Sequence, residues 1–429
     1  MRQSAQLDAI TMLQKLHCDG KTIDAGRAMS PLIANSHVHL PPNFSAFDSV
    51  EQLLDQSHNQ NIAVLGVSNY YDFAVYEGFA SGARKRGIYP LFGVEIVALV
   101  DELVRAGVRI NDPGNPGKMY VCGKGIVHFA DPSPTARALL DVIRRNDSDR
   151  MREMTCRLEK VFAENGVPTG LDAEAIIERV MKRHDAPRQT VWLQERHLAQ
   201  AFAEAFIEKV SPDQRVQKLN EVLGAAVTDD ASNVAKLANV IRSQLMKADK
   251  RAFVEESYVN FDQAKELILA LGGIPCYPTL ADGAKPICEY EHPPRKLVEN
   301  ILSSGIYCAE LIPVRNTREK LVEYVHALRS AGIVVLAGTE HNTPGMMRIE
   351  PACADGESIP AQVKDIFWEG ACVVAAHQAL AARSECGYVN SNGDRSPDFS
   401  DDEERICWFA ALGAGVIADY QKRMCDDSI

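Results

Sequence analysis

Apolar and polar positions along this chain follow two rhythms. Residues 1 to about 30 have helical spacing, broken by a turn at Asp19-Gly20. The run LIANSHVHL (Leu32 to Leu40) has the length and composition of a strand. DSVEQLLDQSHNQN then places an Asp or Ser ahead of helical spacing, which is an N-cap signature. IAVLGVSNYYDF predicts a buried strand that ends in polar residues, a helix follows over roughly 74–87, and IYPLFGVEIVALV (Ile88 to Val100) predicts another strand. This alternation of strand and helix is the pattern of a parallel α/β architecture. Polar residues gather where the apolar strands end, which is where barrel enzymes place their chemistry.

Near Asp131 the rhythm changes. From there to about Phe253 the apolar residues recur at i, i+3 and i+4, with no strand between them. Residues 131–253 are therefore expected to form an all-α insertion whose two ends return to the same face of the sheet. The first rhythm then resumes, with FDQAKELILALGG as helix, IPCYP as strand, PRKLVENILSSG as helix, IYCAELIP as strand, TREKLVEYVHALRSAG as helix and IVVLAGTEH as strand. After Gly345 the pattern is irregular, then helical over about 361–384 and 402–422, with the polar, turn-rich GYVNSNGDRSPDFSDDEE between. The expected organisation is an α/β unit in two parts, 1–130 and 254–345, a helical insertion at 131–253 and C-terminal helices at 346–429.

Composition narrows the function classes. An apolar fraction of 46% and a charged fraction of 24% suit a folded chain with a large core. The net charge of -12 argues against a broad contact surface for extended nucleic acid or for an anionic membrane, but leaves room for a small basic pocket. No stretch reaches the ~20 apolar residues that span a bilayer, and the opening MRQSAQLDAITMLQKLH has no apolar leader core, so a cytoplasmic location is the default. The 11 cysteines include no C-x-x-C pair, which leaves buried reduced thiols as the plain reading.

Several residues carry candidate chemistry. His37 and His39 stand at i and i+2 at the end of the first strand, so both imidazoles face one side, as in half of a metal site. Glu95 sits within LFGVEIVAL, where an unpaired carboxylate is too costly to bury, so it must be coordinated or paired with an arginine. Glu340 and His341 follow the buried run IVVLAGT. His128 follows Ile126-Val127 and is either a ligand or a core histidine. Arg315, Arg348 and Lys285 lie near strand ends, where a cation could hold a phosphate or carboxylate. Tyr70, Tyr71 and Tyr277 could line a pocket or simply pack.

The order H-V-H, G-V-E-I, a lone His after a strand, then G-T-E-H resembles the PHP (polymerase and histidinol phosphatase) family over roughly residues 31–130 and 255–345. WLQERHLAQAF is also similar to the helical insertion of PHP phosphoesterases that act on nucleotide 3′,5′-bisphosphates and short oligonucleotides. The resemblance implies a distorted (β/α)7 TIM-like barrel and a divalent-metal hydrolase. It assigns one metal to His37, His39, Glu95 and Glu340, with Glu340 in place of the family's Asp. It assigns His128 to a second metal, whose other histidine is replaced by Tyr277. The third site is missing, because its positions fall near Ser45 or Ala46, on the Ser68–Tyr71 segment and on Asn342.

The implied cofactor is one or two Zn, Mn or Fe ions, with one full site and at most a partial second. His341, Arg315 and Tyr277 are the catalytic candidates, His341 as general acid or extra ligand. Tyr70, Arg348 and Lys285 are the substrate-binding candidates, with the hydroxyls of Tyr70 and Tyr277 expected to enter the pocket. The expected substrate is a small phosphorylated metabolite or nucleotide. A single-metal sugar-acid or lactone hydrolase or isomerase, and a metal-stabilised binding module without turnover, are the alternatives. The oligomeric state is left open.

Overall fold

The computed structural model describes residues 8–226, 231–342, 348–354, 356–396 and 398–426. Helices α1 (Ala9–Gln14) and α2 (Gly20–Arg27) each begin on an aspartate cap, Asp8 and Asp19. The barrel then starts with β1 (Ile33–Val38), α3 (Val50–Asn59), β2 (Ile62–Val67), α4 (Tyr76–Lys85) and β3 (Tyr89–Leu99). Ser49 caps α3 by accepting the Gln52 N–H. A short helix α5 (Asp101–Ala106) leads to β4 (Lys118–Lys124), a strand the hydrophobic pattern did not predict.

Helices α6 (Pro134–Glu164), α7 (Ala173–His184), α8 (Glu195–Lys209), α9 (Arg215–Leu223) and α10 (Val234–Ile241) follow without a strand between them. The chain rejoins the sheet through the two-residue β5 (Val259–Asn260). It continues as α11 (Phe261–Ala270), β6 (Ile274–Thr279), α12 (Pro294–Ser303), β7 (Cys308–Leu311), α13 (Arg318–Ser330) and β8 (Val334–Ala337), and ends in α14 (Ala361–Ala382) and α15 (Asp402–Asp426).

The strands run in the order β1-β2-β3-β4-β6-β7-β8, with β5 paired to β3. A parallel bridge between Val38 and Glu340 joins the two edges, reinforced by the His39 N–H to the Glu340 carbonyl at 3.0 Å. The result is a TIM-like α/β barrel with helical additions. It is distorted because β4 runs antiparallel to both neighbours, β3 and β6. The Val38–Glu340 bridge brings the two edges together and leaves the barrel nearly closed.

Among the described residues, the buried apolar side chains form three clusters, one of them between the outer face of β6–β8 and helices α12 and α13. The barrel core includes Ala136 and Leu140 from the start of α6, whereas Met151 to Ala252 contribute to a second, wholly helical core. The long helix α6 thus belongs to both. Its 31 residues extend for about 46 Å at 1.5 Å each. It starts near the N-terminal ends of the strands and climbs past the mouth. There Asn146 meets Ser257, and Arg150 meets the Val254 carbonyl on the returning chain. The insertion therefore leaves the barrel at one end and returns at the other, where β5 pairs with Ala98 and Leu99. This corrects the expectation that both ends meet one face. The cause is the antiparallel β4, which delivers the chain to the end away from the mouth.

Among the described residues, no helix is long and apolar enough to cross a membrane. Helix α14 is apolar nearly all round (FWEGACVVAAHQALAA) because it is enclosed by β8, β1 and α15.

Candidate metal centre

Three side chains converge at the barrel mouth. His37 Nε2 and His39 Nε2 each lie 3.3 Å from Glu95 Oε2 and 3.4 Å from one another. All three residues are buried. Charge-assisted N–H···O bonds are shorter, about 2.7–2.9 Å, and Glu95 Oε2 has no hydrogen-bond partner. The spacing instead matches the edge of a tetrahedron with bonds of about 2.0–2.1 Å, whose ligand atoms are about 3.3–3.4 Å apart. Two imidazole nitrogens and one carboxylate oxygen, buried at that spacing, fit a divalent cation.

Position in the fold explains the convergence. β3 extends beyond β2, since Val67 is level with Phe92, and this carries Glu95 up to the mouth. The register of β1 is irregular between Asn35 and Val38. Both Ser36 and His37 thereby reach Glu310 on β7, through Ser36 Oγ at 2.9 Å and His37 Nδ1 at 2.7 Å. Lys124 Nζ lies 2.6 Å from the other oxygen of Glu310. Tyr70 stacks on His39 with ring centroids 5.4 Å apart and planes 10° apart.

The charges follow from these contacts. Burial disfavours ionised Glu95, but His37 and His39 beside it hold its carboxyl well below the usual range. Burial likewise opposes charge on His37, and Glu310 overrides it, raising the imidazole well above its ordinary value in the metal-free protein. Glu310 is itself pulled down to about 2, against burial, by Lys124 and His37.

A cavity of about 630 Å³ opens above this floor. His37, Tyr70, Glu95, Arg315 and Glu340 line it from the barrel, and Arg196, Arg242 and Lys247 from the insertion. Arg315 is ion-paired with Glu340. Arg242 and Lys247 pair with Glu195 at 3.1 and 2.8 Å, and Arg150 reaches the same carboxylate at 2.7 Å. Glu340 and His341 both hold left-handed backbone, with φ of 57° and 49°. Each costs about 1–2 kcal/mol for a residue with a Cβ, and such strain gathers at functional sites.

The remaining expected site residues fall elsewhere. Glu340 lies in the cavity, but its carboxylate turns to Arg315 and to Asn342 Nδ2 at 2.6 Å, outside the convergent cluster. His128 is exposed. Lys124 is level with Ile274 at the start of β6, and His128 lies four residues further on, bonded to Leu271 O, so the reversed direction of β4 puts it at the wrong end of the barrel.

Tyr277 is buried outside the barrel wall, where its hydroxyl donates to Glu291 Oε1 at 2.9 Å. It alternates with Cys276, which pairs with Cys308 on the face of Glu310, so period-two alternation turns Tyr277 toward α12 and α13. The expectation that it enters the pocket is corrected; Tyr70 does enter.

His341 packs on Phe47 with centroids 5.1 Å apart, and its Nδ1 is 2.6 Å from Thr339 Oγ1. Burial pushes its pKa down to about 4 in the metal-free protein, which disfavours the protonated form that a general acid needs. Arg348 is exposed and paired with Glu350 at 3.0 Å, and Lys285 is exposed in its loop; neither lines the cavity.

Glu310, Lys124 and the insertion's Arg196, Arg242 and Lys247 were missed in the sequence. The signal for the first two was available. Both stand in apolar runs, CAEL and YVCGKGIV, where the argument applied to Glu95 holds equally.

No protein-family model matches this chain, and no curated protein matches it. Solved structures do resemble it. An amidohydrolase from Chromobacterium violaceum, with bound sulfate and no metal, is 15% identical with a TM-score of 0.51, covering 78% of this chain and 96% of that one. A proposed metal-dependent phosphoesterase from Bifidobacterium adolescentis is 12% identical with a TM-score of 0.51, covering 79% and 97%. At these identities the likeness is one of fold.

Proposed function

We propose that this protein is a divalent-metal-dependent hydrolase of the PHP type, acting on a phosphoester of a small molecule. The observation that carries the reading is the convergence of His37, His39 and Glu95 at ligand-edge spacing on the floor of a cavity. The sulfate-bearing amidohydrolase and the proposed phosphoesterase that share the fold support hydrolysis as the reaction class.

When bound, a divalent ion supplies Lewis acidity toward the scissile group and brings the pKa of water down toward neutrality. The chain's own residues do the rest. His37, His39 and Glu95 hold the ion. Tyr70 fixes the plane of His39 by stacking. Arg315 and Arg196 present guanidinium groups in the same cavity, suited to the oxygens of an anionic group. The helical insertion walls one side of the mouth through Arg196, Arg242 and Lys247.

A second reading, a single-metal sugar-acid or lactone hydrolase, is favoured by one observation. His128, which the resemblance gives to a second metal, is exposed at the far end of the barrel and does not join His37, His39 and Glu95. Both readings are tested by assaying the purified protein with Mn²⁺ or Zn²⁺ on panels of phosphomonoesters and lactones. Phosphomonoester turnover is expected, lowered more than about 100-fold in Glu95→Gln, at least the scale of losing one transition-state contact. Lactone turnover alone selects the second reading. Turnover that survives Glu95→Gln unchanged contradicts both.

A further inference from the structure

His37 and His39 are anchored differently. Among the described residues His39 Nδ1 has no hydrogen-bond partner, and its ring stacks on Tyr70. His37 Nδ1 is 2.7 Å from Glu310 Oε1, a carboxylate with no exposure to solvent. The other oxygen of Glu310 accepts from Ser36 Oγ at 2.9 Å and Lys124 Nζ at 2.6 Å. Lys124 spends its remaining donors on the Ser36 carbonyl at 3.2 Å and Ser68 Oγ at 3.1 Å. Every donor of that ammonium is therefore used beneath the centre, and none is left for a substrate.

We propose that Glu310 is a positioning residue that fixes His37 with Nδ1–H toward itself and the Nε2 lone pair toward the metal, and that Lys124 is the buried counter-charge holding Glu310 in place. This rests on the metal-centre reading. A carboxylate behind a ligating imidazole sets its tautomer and orientation and raises its basicity. Left alone at that depth, the carboxylate would be too costly to bury. Lys124 supplies the balancing charge from β4, the antiparallel strand, whose direction brings its last residue beneath the mouth. The barrel's distortion thus has a chemical consequence: it inserts a lysine under the centre.

A buried ion pair that served folding alone would look similar, so the test must separate the two. Zn²⁺ affinity is measured by chelator competition, and the thermal midpoint is measured on metal-free protein. Both are compared for wild type, Glu310→Gln and the charge-balanced double variant Glu310→Gln/Lys124→Met. The proposal expects Glu310→Gln to bind zinc about 10–100-fold more weakly. It expects the double variant to recover the thermal midpoint while its affinity stays low. Wild-type affinity in either variant overturns the proposal. Should the variants fail to fold, imidazole NMR of zinc-loaded wild type decides: His37 should show a downfield, solvent-protected Nδ1–H and His39 an ordinary one. Two alike, exchanging resonances overturn it. A wild-type protein that holds no zinc overturns both the inference and the metal-centre reading.

Discussion

At the level of single residues, the chain repeatedly buries charge, and the partner decides the consequence. Glu95 faces two imidazoles, and Glu310 faces a lysine and an imidazole. Among the described residues Glu291 pairs with no cation. It accepts from Leu280 N at 2.9 Å, Ala281 N at 2.6 Å and Tyr277 Oη at 2.9 Å, and burial still raises its pKa to about 7. The folded chain therefore binds a proton here that the unfolded chain, titrating near 4.5, has released. The stability from this group is fully present below pH 4.5 and is lost as pH rises through 7. The loss is on the order of 3 kcal/mol. Glu291→Gln should remove that slope, read as urea midpoints at pH 5 and 7.5. An equal fall with pH in wild type and variant would show that Glu291 is ionised throughout.

The same scale shows what single residues reveal in the sequence. The i, i+2 spacing of His37 and His39 and the apolar setting of Glu95 are enough to bring those residues into one expected cluster. Tyr277 and His128 could not be placed that way. Their side chains depend on which face of β6 is inside and which way β4 runs, and neither is written in the local pattern.

At the level of elements, the strands followed by helices were legible from their apolar runs, and α3, α11 and α13 also begin on side-chain caps, Ser49, Asn260 and Thr317. β4 was not. KMYVCGK is short, contains a glycine and has a lysine at each end, and both lysines are buried. Lys118 is held by Glu256 at 2.9 Å and Lys124 by Glu310, so charges that normally mark surface lie inside.

The C-terminal helices were predicted from periodicity, but their closeness was not. A Cβ on Gly413 of α15 would lie 1.7 Å from the Cys372 carbonyl oxygen of α14. Gly413→Ala should force the helices apart and cost about 1–3 kcal/mol. Gly78 in α4 is exposed and has nothing within 4 Å of its missing Cβ, so Gly78→Ala should gain up to about 1 kcal/mol from helix propensity. Denaturant midpoints moving in the same direction for both would contradict this packing.

At the scale of the molecule, a barrel and a helical cap share one cavity. Glu195 at the start of α8 joins Arg150, Arg242 and Lys247, and Arg150 also reaches Glu256, the partner of Lys118 on β4. This network links the insertion to the distorted strand, and Arg242 and Lys247 reach the cavity from it. On the proposed reading, His37, His39 and Glu95 hold a divalent ion on the floor of that cavity. Elemental analysis of protein purified and then equilibrated with Zn²⁺ tests it most directly, on wild type and on His37→Ala/His39→Ala, with circular dichroism to verify folding. Wild type should hold about one tightly bound ion per chain, on three protein ligands that leave a position open, and the folded variant almost none. A wild type without stoichiometric metal, or a variant that keeps it, would show that these three residues do not form the metal site.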